Sequence, residues 1–277
     1  MIKTQALPPN PSLIWGLRLA ALLLLVALLS PSLTPHDAYA INLDRRLEAP
    51  SFEYPFGTDR LGRCVLSRTV LGTRASLGLA LLASAGATVA ALALSVVAVF
   101  GGRSGDRAVR LLIDVFISFP SLVLALAFVG IAGPSAFAAV TAIVWAWWPS
   151  EARVMRSLLD SARHRNFVDA AFLAGVHPVR VVVRHILPQV GPALAVRTSL
   201  EMSSVIVALS TLSFLGLGLQ PPHPEWGTML NEAWPFVGTA PHLLFGPGLA
   251  LIASVLAFNL IAEGLRVRVD SRQLQEW

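Results

Sequence analysis

Four polar side chains stand inside or at the ends of otherwise apolar stretches: Asp114, Glu201, Asn259 and Glu263. A charged group at membrane depth is costly, so each must either find a partner or serve a function. Arg110 lies four residues before Asp114, and Arg197 four before Glu201, so each acid has a partner within reach on one helix face. Left unpaired, Glu201 would favour a cationic or metal-bearing ligand over a neutral one. Six histidines invite a metal reading, but none forms a His-x-x-x-His or Cys/His cluster. His36, His223 and His242 could still meet, with Glu225, in loops on one side of the chain. As isolated loop residues they are simply solvated. The single cysteine, Cys64, excludes an intrachain disulfide and a Cys-rich metal cluster, and reads as a small apolar residue. No metal or cofactor site is expected, and no grouping of nucleophile, base and orienting residue emerges.

Phosphate chemistry is constrained as tightly. A P-loop needs a Gly-rich turn and a lysine for the phosphates. The only lysine is Lys3, and no such motif surrounds it. The chain does not hydrolyse ATP through a Walker site, so any ATP-driven work must draw on separate subunits.

The elements that position these residues are long and apolar. Hydrophobic residues make up 55% of the chain and charged residues 13%, where a soluble domain carries about a quarter charged. A bilayer core of about 30 Å takes about 20 apolar residues in a helix. Six stretches are candidates: Leu13–Leu33, Ser76–Phe100, Val109–Ile131, Pro134–Trp148, Pro192–Leu219 and Leu243–Leu265. The third and fourth are joined by Ala132-Gly133-Pro134, read as a tight turn with a helix-starting proline. Trp145, Trp147 and Trp148 mark an interfacial end of the fourth. Ala38-Tyr39-Ala40 has the look of a signal-peptidase site, but it lies well past the apolar run ending at Leu29, and a retained first helix is the better reading. Ser203, Ser204, Ser210 and Ser213 give the fifth stretch small residues for close packing.

The net charge is +5, carried by arginines at the ends of apolar blocks and not in one dense patch, which points to topology and not to nucleic acid. With both termini inside, the inner segments hold fifteen of the 21 Lys and Arg residues. These are Lys3, Arg18, Arg103, Arg107, Arg110, Arg153, Arg156, Arg163, Arg165, Arg180, Arg184, Arg197, Arg266, Arg268 and Arg272. The outer segments hold Arg45, Arg46, Arg60, Arg63, Arg68 and Arg74. Cytoplasmic loops carry such an excess, so both termini are expected in the cytoplasm.

The longest inner segment, residues 151–191, is far more polar than its flanks. Asn166–Ala174 reads as a short helix with Phe167, Val168, Ala171 and Phe172 on one face. Asp169 sits in its first turn, where a negative charge suits the dipole. Gly175 stops it and Pro178 prevents its continuation. Such a helix can lie on the membrane interface or press into a groove on another protein.

The stretch DAAFLAG at Asp169–Gly175, followed by HILP at His185–Pro188, resembles the EAA loop of ABC-importer permeases. That pattern is Glu-Ala-Ala, three residues, Gly, nine residues, Ile, one residue, Leu-Pro. Asp169 replaces the Glu and His185 stands at the Ile position, while Ala170, Ala171, Gly175, Leu187 and Pro188 match in register. FGTDRLGR at Phe56–Arg63, SFLGLGLQPP at Ser213–Pro222, EWGTMLNEA at Glu225–Ala233 and AFNLIAEGLR at Ala257–Arg266 resemble segments of the dipeptide, oligopeptide and nickel permeases. Cys64 departs from the Asp usual after the first of these.

The resemblance covers most of 56–270 and implies an all-α membrane protein of the bacterial inner membrane. Its fold would be the six-helix, type I ABC importer permease fold with a cytoplasmic coupling helix. The implied organisation is an N-terminal tail, first span and outer segment at 1–75, a five-helix permease core with the coupling loop at 76–266, and a cytoplasmic tail at 267–277. The implied partners are two ABC ATPase subunits, a second homologous permease and an extracytoplasmic solute-binding protein. Asp169, Ala170, Ala171, Gly175, Leu187 and Pro188 would couple the chain to an ATPase, and Glu201 and Asp114 are candidate pathway residues. Peptide permeases usually carry a Glu where this chain has Leu209 and a small residue where it has Glu201. The nickel permeases resemble this chain at both points, which favours nickel or a metal chelate as cargo over di- and oligopeptides. An ion-coupled secondary transporter is the alternative of another class, but no internal repeat supports it and the loop would go unexplained.

Overall fold

The computed structural model of the chain describes residues 10–273. Lys3 and the end of the C-terminal tail fall outside the described residues, as do the side chains of Phe172 and Arg272. No strand forms among the described residues; one isolated bridge joins Thr58 to Cys64.

Ten α-helices carry the fold: α1 (Pro11–Leu33), α2 (Val65–Phe100), α3 (Gly102–Ile117), α4 (Ser121–Ala132), α5 (Ala136–Arg163), α6 (Asn166–Leu173), α7 (Pro178–Val181), α8 (Leu187–Phe214), α9 (Trp226–Ala233) and α10 (Phe245–Gln273). Four of the helical stretches are long and apolar enough to cross a membrane, or five if the bent pair α3 and α4 counts as one span. They begin at Pro11, Val65, Val179 and Pro241. The helix α5 is not among them, because its apolar part gives way after Trp148 to Glu151, Arg153 and Arg156. Its apolar part packs inside the bundle: Ala138, Ala139, Ala142, Ile143 and Ala146 cluster with Leu77, Ala80 and Ala83 of α2 and with Val205, Leu209 and Leu212 of α8.

Small residues set these contacts. Without a strong hydrophobic force between helices in lipid, close backbone approach supplies the packing. At Gly16 of α1, an added Cβ would lie 2.7 Å from the Ile261 backbone nitrogen of α10. Asn10 caps α1 by accepting from the Ser12 N–H, and its amide donates to the Gly264 carbonyl, tying α1 to α10 at that end.

Several sequence expectations are corrected. The third stretch is not one straight helix: α3 and α4 meet at 85° across Ser118–Pro120. Proline cannot donate the next helical hydrogen bond and disfavours helical backbone in the residue before it. The first half is also amphipathic, burying Val109 and Ile113 while exposing Arg103, Arg107 and Arg110. Pro134 does not start α5; Ser135 caps it by accepting from the Ala138 N–H, and Gly133 makes the turn at φ +87°. The fifth helix starts before Pro192 and ends at Phe214, five residues short of Leu219. Cys64 is buried and caps α2, its sulfur accepting from the Ser67 N–H at 3.5 Å.

Candidate functional site

The loop between α5 and α8 is built around one small apolar cluster. Val168 and Ala171 of α6 are buried against Val99, Leu159, Ala162, Val181 and Ile186. Arg163, at the end of α5, donates to the Val99 carbonyl and lies 5.4 Å from the Phe100 ring centroid, closing the cluster against α2. After Leu173 the chain turns through Gly175 at φ +73°, a conformation that costs a residue with a Cβ about 1–2 kcal/mol. The turn is closed by the Ala174 N–H on the Ala170 carbonyl and the Val176 N–H on the Ala171 carbonyl. The chain then enters α7 and a single π-turn, Val182–Ile186, before Leu187 and Pro188 open α8.

This geometry divides the residues singled out by spacing. Val168 and Ala171 face inward, but Phe167 is exposed, so the four-residue apolar face of the sequence reading is split. Helical turns run at 3.6 residues, so Asp169, Ala170 and Leu173 share the outer side, opposite Val168 and Ala171, with Phe167 exposed at the edge of the inner face. Leu173 is 90% exposed. Pro188 is exposed and, with Arg165 and Gln189, lines a cleft beside α6.

The acids inside the helices are paired or enclosed. Glu201 is buried, and Arg197 donates to it along α8, while Ser150 donates to it from α5 at 3.3 Å. The argument for a cationic cargo from an unpaired Glu201 therefore falls. Asp114 pairs with Arg153 at 2.9 Å and not with Arg110, which instead holds Asp106 one turn earlier. Asp106 also binds Arg156 at 2.7 Å, so α3 is laced to α5. Asp114 is exposed and does not approach Glu201 through any contact of its own. Asn259 and Glu263 line a cleft with Leu200 and Arg266. Ser203 donates to the Val255 carbonyl, and Ser210 and Ser213 seat Gly227, where an added Cβ would lie 2.3 Å from the Ser210 carbonyl oxygen. Ser204 faces a groove with Leu200, Val207 and Thr211.

Sequence reasoning missed two groups. One is Glu151, fully buried beside Ser150 and treated only as the start of a polar loop. The other is a charge cluster at the opposite end of α2. Arg63 binds Asp59 at 2.6 Å and Glu232 at 3.1 Å; Arg68 binds Glu232 at 2.9 Å and Asp59 at 3.5 Å; Arg60 reaches Glu232 at 3.7 Å from the rim. The cluster locks the 56–68 turn onto α9. Beside it, Glu53 binds Arg45 at 2.7 Å and holds that guanidinium charged further above its ordinary range. Glu225 is committed elsewhere, capping α9 and accepting from Ser76, so it does not meet the histidines. His36 stacks on Tyr54 and His223 meets Tyr39 edge-on. Among the described residues, no three His, Cys, Asp or Glu side chains form a metal-binding group.

Residues 74–275 match the family described as binding-protein-dependent transport system inner membrane component. The chain belongs to this family. It is 39% identical over 272 residues to the nickel transport system permease protein NikC of Escherichia coli, covering 95% of this chain and 96% of that one. It is 36% identical over 268 residues to the dipeptide transport system permease protein DppC of Alkalihalophilus pseudofirmus, covering 97% and 88%. The glutathione transport system permease protein GsiD of Pectobacterium atrosepticum is 35% identical over 252 residues, covering 91% and 84%. Among solved structures, an inward-facing MetNI methionine ABC transporter chain superposes with a TM-score of 0.58 at 16% identity, covering 72% of this chain and 94% of that one. The fold is therefore the all-helical type I ABC importer permease fold, and the chain is a multi-pass inner-membrane permease component.

Proposed function

We propose that this permease forms half of the translocation pathway of an ATP-driven importer and takes its energy from two separate ATPase subunits. A second, homologous permease completes the pathway, and an extracytoplasmic solute-binding protein delivers the cargo. The helix α6 docks on an ATPase through Phe167, Asp169, Ala170 and Leu173, with Ala171, Gly175, Leu187 and Pro188 holding it in place. The observation that carries this reading is the exposed apolar side of α6, fixed by its buried Val168 and Ala171. Leu173→Asp and Ala170→Asp should abolish uptake while the receptor still binds solute; normal uptake by both variants would refute the docking role.

The chain crosses the membrane six times in this reading, with α5 and the bent α3–α4 pair each counted as a span and both termini in the cytoplasm. Two features support it. The arginines of 103–110 and 153–163 gather at one end of α2, and Arg63 and Arg68 sit near the other. With 36 residues, α2 separates these ends by about 54 Å, enough to cross a bilayer. In this reading the N-terminal tail, first span and outer segment occupy 1–75, the five-helix core with the coupling loop 76–266, and the cytoplasmic tail 267–277.

For cargo, nickel or a metal chelate is the first reading, supported by the 39% identity to NikC over nearly the whole of both chains. Di- or oligopeptides are the second, supported by the 36% identity to DppC. Position 209, where peptide permeases usually carry a Glu, is Leu209 here and is buried in the main core. Uptake of radiolabelled nickel, with and without small chelators, against a labelled dipeptide decides between them: peptide uptake without metal accumulation overturns the first reading.

A further inference from the structure

The buried polar group between α5 and α8 contains more than the Arg197–Glu201 pair. Glu151 is 1% exposed, and neither of its carboxylate oxygens has a hydrogen-bond partner. Arg197 spends its Nη2 on Glu201 and on Ser150, while its Nε is buried and unpartnered. Thr88 of α2 approaches Glu151, and its hydroxyl too is buried without a hydrogen bond. Glu151 lies within electrostatic reach of both Arg197 and Glu201, and Ser150, its neighbour in the chain, touches both. A buried carboxylate and an idle guanidinium edge are each costly, and joining them relieves both.

The location matters as much as the unused groups. The helix α5 leads into the segment bearing α6 at Arg163, and α8 leads out of it at Leu187. A displacement of α6 therefore acts on the two helices that carry Glu151 and Glu201. Sliding one past the other moves the two carboxylates relative to the single guanidinium between them.

We propose that Glu151 is a positioning residue, the second acceptor for Arg197, which passes from Glu201 to Glu151 when α5 and α8 shift during transport. This rests on the permease reading above. One guanidinium shared between two acids has two discrete arrangements, which is what converts a small displacement into a switch.

The test uses the full complex reconstituted in vesicles, with wild type, Glu151→Gln, Arg197→Gln and the double variant. Binding-protein-stimulated ATP hydrolysis, uptake and the amount of assembled complex are measured together. Glutamine keeps the shape of Glu151 and removes its charge. Glu151→Gln should assemble and hydrolyse ATP yet move about tenfold less cargo per ATP, a typical coupling magnitude. The double variant should be no worse than Arg197→Gln alone; Arg197→Lys replaces it in the cycle if Arg197→Gln does not assemble. A wild-type uptake ratio for Glu151→Gln overturns the proposal. So do multiplying effects in the double variant, or loss of assembly by Glu151→Gln, which marks a merely structural acid. A wild-type complex with no ATP-driven uptake sinks the permease reading itself.

Discussion

Glu232 accepts from two arginines that are almost completely enclosed, Arg63 at 3% and Arg68 at 1% side-chain exposure. Replacing it with glutamine leaves two buried guanidinium groups to share Asp59. Removing one partner of a buried ion pair costs about 3–5 kcal/mol, because the charge left behind has lost both water and its counter-ion. Arg60 provides the internal control. It touches the same carboxylate, but it is 47% exposed and its nitrogen stands 3.7 Å away. Its loss should cost under about 1 kcal/mol. The assay is reversible unfolding of the purified full chain by SDS titration, followed by helicity, for Glu232→Gln, Arg60→Gln and Arg68→Met/Glu232→Gln. The double variant removes one cation with one anion and leaves Arg63 with Asp59, so it should be more stable than Glu232→Gln alone. The reasoning is refuted if Glu232→Gln costs no more than Arg60→Gln, or if removing Arg68 as well makes matters worse.

Further outcomes follow from the same contacts. Gly175→Arg should weaken the α6 turn through backbone strain of about 1–2 kcal/mol and not through a clash, since nothing lies within 4 Å of an added Cβ; Gly175→Asn, which tolerates that backbone, should retain more uptake. Ala171→Asp should disorder the loop itself by placing a carboxylate in the cluster around Val168, and protease accessibility near Arg165 should rise, whereas Leu173→Asp should leave it unchanged. Pro120→Ala should leave α3 laced to α5, because the pairs Arg156–Asp106 and Arg153–Asp114 do not involve the proline, and cysteine cross-linking across those pairs checks it. Reporter fusions after Leu47 and Asn231 should report outside and a fusion after Arg163 inside; a cytoplasmic signal at Leu47 contradicts the topology.

Much of this was legible because hydrophobicity in a membrane chain is a local property. The first, second, fifth and sixth spans appear as long, predominantly apolar runs, and α6 appears as a polar interruption with a glycine stop. The third span misled because Val109–Ile131 has the right composition overall, while the break depends on Pro120 and on charges that need protein partners. Arg110 had acids four residues away on both sides, Asp106 and Asp114, and spacing alone does not choose between them. Asp106 precedes the arginine, the better order for a helical pair. Glu232 lies 164 residues from Arg68, so the motif around Arg63 could be recognised but its partner could not be read. Glu151 was hidden by its setting: after Trp148 and Pro149 the chain reads as a loop beginning, yet the helix continues through the proline and carries the acid into the bundle. A carboxylate three residues past an apolar run was the only local signal.

Transport through this chain is proposed to be driven by ATP hydrolysed on separate subunits. Uptake by the complex reconstituted in sealed vesicles, with ATP supplied on the cytoplasmic side and proton and sodium gradients collapsed, tests it most directly. Uptake should need the ATPase subunits and ATP and be indifferent to the gradients. Uptake by this chain without ATPase subunits, abolished when an ion gradient is collapsed, would contradict it.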